Sequence, residues 1–174
     1  MKIFLATKNP GKISEFKEIL SGLGVDLVTC NDLEIPDVEE TGSTFVENAI
    51  LKARSASETT KLPSIADDSG IEVDYLKGRP GVWSARYAGL DATNEENNLK
   101  LLSELQGVAS NKRGACYRCV IVFMRFHNDP FPFIAQDSWR GSILEYQKGS
   151  NGFGYDPISV SYTHLRAHET REDR

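Results

Sequence analysis

Apolar and polar positions along this chain change period several times. Ile3 to Ala6 is a short apolar run, Thr7 to Lys12 is polar, and apolar residues then recur at Ile13, Phe16, Ile19, Leu20 and Leu23. The last spacing lies on one face of a helix. Asp26 to Thr29 reads as a second strand, so the chain opens as strand–helix–strand. Thr44-Phe-Val-Glu47 and Thr93-Asn-Glu-Glu96 both have the spacing of a capping box. They predict one helix from Thr44 through about Ser57 and another carrying Leu99, Leu102 and Leu105. Ser64 to Ala66 and Ile71 to Val73 read as short strands on either side of Asp67-Asp68-Ser69-Gly70. Ala115 to Phe123 is the clearest strand, and Phe133 to Trp139 pairs with it across the turn His127-Asn-Asp-Pro130. With no repeat and no linker, the pattern predicts a single α/β domain with a mixed sheet.

Composition narrows what such a domain does. The 174 residues carry 20 Lys and Arg against 25 Asp and Glu, a net charge of −5, which argues against general binding to duplex nucleic acid. A run of roughly 18 apolar residues, the minimum for a membrane helix, is absent. The start lacks the longer apolar segment of a secretory signal, so the expected location is the cytoplasm. Cys30, Cys116 and Cys119 are read as reduced thiols. Cys116-Tyr-Arg-Cys119 spells C-x-x-C, but it runs into an apolar strand, where positions i and i+3 face opposite ways and cannot share a metal.

Several short runs can carry chemistry. Thr7-Lys8-Asn9-Pro10-Gly11-Lys12 joins a strand to a helix, where free N–H groups and two ammonium groups suit an anion; a solvated connection is the plain alternative. Glu39-Glu40-Thr41-Gly42 precedes a helix, where carboxylates also suit the helix dipole. Asp67 and Asp68 stand at the end of an apolar strand, where uncompensated charges are expensive. A hard cation such as Mg²⁺ or a turn with side-chain hydrogen bonds would each account for them. Asn48 and Lys52, four apart, share a helix face. Gly149 to Pro157 interleaves Gly with Phe153 and Tyr155, so an aromatic face can stack on a planar ring, or simply anchor a turn.

The order of these runs says more than each alone. Thr-x-Asn-x-Gly-Lys (Thr7 to Lys12), Glu-Glu-Thr-Gly-x-Thr-Phe-x-Glu-Asn-Ala-x-x-Lys-Ala (Glu39 to Ala53) and Ala-Asp-Asp-Ser-Gly (Ala66 to Gly70) come first. Gly-x-Pro-Gly-Val-x-Ser-Ala-Arg-Tyr (Gly78 to Tyr87) and Gly-Phe-Gly-Tyr-Asp-Pro-Ile (Gly152 to Ile158) follow. From Met1 to about Ile158 the chain closely resembles the inosine/xanthosine triphosphate pyrophosphatase family, which clears deaminated purine nucleotides. The resemblance implies an elongated, two-lobed mixed sheet flanked by helices with a central cleft, a homodimer, and dependence on Mg²⁺. The implied reaction converts dITP, ITP or XTP to the monophosphate and pyrophosphate. By position, Thr7, Lys8, Asn9, Pro10, Gly11 and Lys12 would bind phosphates, with Lys52 joining them as a catalytic cation. Glu40 and Asp68 would hold the metal, and Asp68 would also be the base for the attacking water. Asn48 and Ser69 would contact the nucleotide, and Phe153, Gly154, Tyr155 and Asp156 would line the base pocket. His127 is the only histidine before the last 14 residues, and no Ser-His-Asp or Cys-His grouping is needed.

Beyond Ile158 the resemblance stops. The family continues with a strand, a Lys and a Ser-His-Arg motif, whereas this chain reads Ser-Val-Ser-Tyr-Thr-His-Leu-Arg-Ala-His-Glu-Thr-Arg-Glu-Asp-Arg. Residues 159–174 are therefore expected to be an unrelated or disordered tail on an incomplete domain of residues 1–158. A nucleotide-binding but catalytically crippled homologue, or a pyrophosphatase for other nucleoside triphosphates, is the competing reading.

Overall fold

The fold is a computed structural model that describes residues 1–148 and 153–161. Its strands are β1 (Lys2–Leu5), β2 (Asp26–Thr29), β3 (Ser64–Val73), β4 (Gly114–Met124), β5 (Phe133–Ile143) and β6 (Ser159–Ser161). The α-helices are α1 (Pro10–Ile19), α2 (Phe45–Thr60) and α3 (Asn94–Glu104). The sheet order is β2-β1-β3-β4-β5-β6, with β1 parallel to both β2 and β3, and β5 antiparallel to β6. It is the mixed α/β sheet that the pattern predicted. Among the described residues no helix is long and apolar enough to cross a membrane.

The chain divides into two compact units. The first is Met1–Asp68 with Cys119–Gln136, and the second holds Ser69–Arg118 and the described residues from Asp137 onward. In the first unit the strand period of two decides which helix each side chain meets. Phe4, Ala66, Val120, Val122 and Met124 pack with Ala49, Ala53 and Ala56 of α2. Their neighbours Ile3, Leu5, Ile65, Ile121 and Phe123 pack instead with Ile13 and Phe16 of α1. Strands sandwiched this way are apolar on both faces, which explains why β1 and β4 read as continuous runs. Small residues at 49, 53 and 56 let α2 lie close to the sheet. In the second unit Ile71, Val73, Leu101, Leu105, Ile143, Tyr155 and Ile158 form the core. Buried Arg113 ties it together by donating to the carbonyls of Leu105, Ile143 and Leu144.

The structure revises some element readings. The two short strands around Asp67-Asp68-Ser69-Gly70 are a single ten-residue strand, β3, so the Asp pair is not in a turn. Helix α1 ends at Ile19, which leaves Ile19 and Leu23 exposed, and only Ile13, Phe16 and Leu20 of that stripe pack inward. In α3, Leu99 is exposed and the inward stripe is Asn97, Asn98 and Leu101, with buried Leu105 capping the helix end. Strand β5 runs on past Trp139 to Ile143. Strand β6 begins after Ile158, where the sequence placed a domain boundary; residues 162–174 lie outside the described residues.

Both capping boxes are present. Thr44 Oγ1 accepts from the Glu47 N–H at 3.2 Å, while Glu47 Oε2 accepts from the Thr44 N–H at 2.9 Å. Thr93 and Glu96 repeat the arrangement at the start of α3. Replacing an N-cap Thr by Ala costs about 1 kcal/mol, which in a chain of this size lowers Tm by about 2–4 °C. Thr44→Ala is expected to show that loss in a thermal melt and Thr44→Ser to remain close to wild type; equal melting of all three would refute the cap.

Candidate active site

The geometry follows from two adjacent Asp on a strand covered on both faces. Asp67 shares its face with Ile65, toward α1, and Asp68 shares the other face with Ala66, toward α2. Each carboxylate meets a lysine from the helix it faces. Lys12, in the first turn of α1, donates to Asp67 Oδ2 at 2.5 Å. Lys52 of α2 donates to Asp68 Oδ1 at 3.4 Å and to Glu40 Oε1 at 2.9 Å. Its side chain is 18% exposed and that of Asp68 9%, so the Asp68 charge needs a compensating cation and the Lys52 charge its carboxylate partners. Asn48, one helical turn before Lys52, donates from Nδ2 to Asp68 Oδ2 at 3.1 Å.

Burial pushes the Asp68 carboxyl above the ordinary carboxylate range; Lys52 opposes the shift and Glu40 adds to it. Burial works against the Lys52 ammonium, but Asp68 and Glu40 outweigh it and hold that group above its usual value. The carboxylates of Glu40, Asp67 and Asp68 meet the ammonium groups of Lys12 and Lys52. Hard oxygen donors such as these suit a small divalent cation. Among the described residues no group of three or more His, Cys, Asp or Glu is arranged as a metal cage. Mg²⁺ seldom needs one, since it usually binds one or two carboxylates and takes its other ligands from water and substrate phosphates. Glu40 and Asp68, drawn together on one ammonium, fit that mode by donor type.

The loop before α1 is built differently from its reading in sequence. Asn9 is the N-cap of α1, and its Oδ1 accepts from the N–H groups of Gly11 and Lys12, at 2.9 and 3.3 Å. The Asn9 N–H donates to Thr7 Oγ1 at 3.2 Å, and Pro10 has no N–H to offer. The helix start therefore does not present these N–H groups to an anion; its cationic side chains remain. Lys8 pairs with Asp37 at 2.5 Å, with both side chains well exposed, the kind of contact that contributes little and is readily exchanged. Asn48, expected to touch the nucleotide, is fully buried with both ends of its amide bonded inside the first unit.

In the second unit, Gly154 has φ of +60°, a left-handed turn that favours glycine, and its carbonyl accepts from Asn98 Nδ2 at 3.0 Å. Tyr155, expected to line the base pocket, is 5% exposed within the core and donates its hydroxyl to the Ser84 carbonyl at 2.8 Å. Asp156 accepts from the Phe153 N–H at 2.9 Å, closing the turn. Phe153, 38% exposed, is the aromatic side chain of this turn that a ligand can reach. Ser69 follows Asp68 on β3 and is half-buried. Gly149 to Gly152 of the glycine-aromatic run lie outside the described residues. Cys116 and Cys119 are both on β4, one buried and one exposed, as their spacing on a strand requires.

Two contributors went unassigned in the sequence. Asp67 was visible beside Asp68, but its partner is fixed only by which face α1 covers. Gly42 allows a close approach of the loop to α2: a Cβ there would meet Asn48 Oδ1 and the Glu47 Cβ, each at 2.6 Å.

A mixed sheet with helices packed on it, carrying a lysine-compensated carboxylate pair on a central strand, places the chain in the α/β class. Within that class the chain belongs to the Ham1 family, which matches residues 3–171. It is 52% identical over 157 residues to the dITP/XTP pyrophosphatase of Photobacterium profundum, covering 90% of this chain and 80% of that one. It is 54% identical over 158 residues to the enzyme of the same name from Thioalkalivibrio sulfidiphilus, covering 91% and 81%. Among solved structures, a HAM1 protein from Coxiella burnetii superposes with a TM-score of 0.86 at 45% identity, over 94% of this chain and 83% of that one.

The pairing of Lys52 with Asp68 has a pH signature. A carboxyl raised in the folded state contributes most below its unfolded value of 3.8, and that contribution is lost as pH rises through the raised folded value. Removing Lys52 raises Asp68 further, so the penalty of Lys52→Met falls on the ionised form. The variant is expected to lose on the order of 3 kcal/mol at pH 8 and clearly less at pH 4.5, by urea melts. Equal losses at both pH values would refute the pairing.

Proposed function

We propose that this chain hydrolyses the non-standard purine nucleoside triphosphates dITP, XTP and ITP to the monophosphate and pyrophosphate, removing them from the nucleotide pool. The observation that carries the reading is Asp68: a buried carboxylate held between Lys52 and Asn48, with Glu40 on the same lysine. The names of the relatives point to the same chemistry.

In this reading Asp68 orients a water toward the α-phosphorus and accepts its proton as the new P–O bond forms. The bond from the α-phosphorus to the bridging oxygen breaks, and pyrophosphate leaves with that oxygen's electron pair. Lys52, Lys12 and Lys8 take up the charge of the triphosphate, the first two by shifting from carboxylate partners already beside them. Transfer at phosphorus needs positioning and charge neutralisation more than a protein nucleophile. Glu40 and Asp68 would hold Mg²⁺, which when bound neutralises phosphate oxygens and makes the phosphorus more electrophilic. Phe153 would stack on the base while Ser69 and the Gly154–Asp156 turn meet the nucleotide. Preference for a 6-oxo purine would arise from hydrogen bonds that an adenine amino group leaves unmade, since buried unpaired groups are costly. We read the protein as a cytoplasmic homodimer acting on free nucleotides.

Incubation with dITP, XTP, ITP, dTTP and ATP in Mg²⁺, with pyrophosphate as the readout, tests this directly. The 6-oxo purines should dominate, and Asp68→Asn should lower kcat at least about 100-fold. Retained turnover in Asp68→Asn would remove Asp68 from its role. Binding without turnover in the wild type would instead mark a non-catalytic nucleotide-binding chain, and preference for dTTP would mark a different substrate class.

A further inference from the structure

Asn48 sits at a place where an asparagine needs a reason. It lies in the first turns of α2, where its amide competes with the helix backbone and an apolar or alanine residue would serve better. Its neighbours on that helix, Ala49 and Ala53, are the small residues expected against a sheet. Asn48 is nonetheless completely buried, with a hydrogen bond at each end of its amide. Its Nδ2 donates to Asp68 Oδ2 at 3.1 Å, and its Oδ1 accepts from the Gly42 N–H at 2.8 Å. Only one orientation of the amide satisfies both ends. Turned over, it would set oxygen against the Asp68 carboxylate and N–H against the Gly42 N–H.

Those two ends belong to different segments. Gly42 ends the short loop that carries Glu40, and Asp68 is on β3. The approach of loop to helix is so close that a Cβ on Gly42 would meet Asn48 Oδ1 at 2.6 Å and the Asn48 N at 3.0 Å. Lys52 joins the same two segments through Glu40 and Asp68, but it does so with a flexible ammonium that the substrate's phosphates also attract. The amide of Asn48 is neutral, short and buried, so phosphate has no claim on it.

From this we infer that Asn48 is a positioning residue: with Gly42 it forms a strut that keeps Glu40 and Asp68 together when Lys52 turns to the substrate. The inference rests on the reading of Asp68 and Glu40 given above.

Two substitutions cut the strut at opposite ends. Asn48→Asp keeps the volume and the acceptor for Gly42 but sets a carboxylate against Asp68. Gly42→Ala forces the loop off Asn48 at a half-buried position. Each is expected to lower kcat for dITP about 10–100-fold with KM changed less than about threefold, circular dichroism remaining that of the wild type. Wild-type kcat in both folded variants would overturn the inference, and so would a loss confined to KM, which would place Asn48 on the substrate. Amide hydrogen exchange supplies a readout without turnover. The Gly42 N–H should exchange at least about tenfold faster in Asn48→Ala than in the wild type, and remain protected in Asn48→Asp. Absence of pyrophosphate from the wild type would count against the proposed function alone. The strut would then stand or fall on exchange, and unchanged Gly42 protection in Asn48→Ala would overturn it. Should Asn48→Ala fail to fold, Gly42→Ala decides through its kcat and KM.

Discussion

Asp67 and Asp68 stand side by side on β3, and helices cover both faces of that strand. A strand sends successive side chains to opposite faces, so the two carboxylates cannot share a partner. An ionised carboxylate out of water is costly by several kcal/mol unless paired. The chain therefore has to bring one cation to each face. Lys12 arrives in the first turn of α1 and Lys52 in the second turn of α2. Helix placement, capping and the small-residue stripe at Ala49, Ala53 and Ala56 all serve to put those two ammonium groups where β3 needs them.

The same arrangement gives the site its chemistry. The Asp68 carboxylate keeps its basicity, because burial favours the protonated form while Lys52 restrains it. In the proposed reaction, lysines already seated against carboxylates would exchange them for phosphate oxygens. On the proposed function the structural pair and the catalytic pair are one set of groups, and hydrolysis needs no nucleophilic triad in a chain with one histidine before its last 14 residues.

Much of this was readable in the sequence, and the exceptions have physical causes. Capping boxes at Thr44 and Thr93 fixed both helix starts, because the box is a local hydrogen-bond pattern complete within four residues. Strand β4 was plain because it is apolar on both faces. Strand β3 was read as two pieces, since Asp67-Asp68-Ser69-Gly70 has turn composition and only the tertiary lysines make it tolerable as strand. Ile19, Leu23 and Leu99 fitted helical spacing yet face solvent, since spacing cannot say where α1 stops or how α3 is rotated. In the site, Lys52 pairs with both Asp68 and Glu40, residues far apart in sequence that only the fold brings together. Asn9 and Tyr155 kept their places but are committed to a helix cap and to the core. The role of Asn48 depends on a contact six residues back and another twenty ahead, which no local pattern encodes.

The charge of Lys52 is required because Asp68 is buried and ionised beside it. A double-mutant cycle of Lys52→Met and Asp68→Asn, read by urea unfolding at pH 8, measures that dependence without reference to any substrate. Lys52→Met should be much less destabilising in the Asp68→Asn background than in the wild type, with a coupling of roughly 1–3 kcal/mol between them. Additive losses would show that the two charges do not answer one another, and would contradict the account.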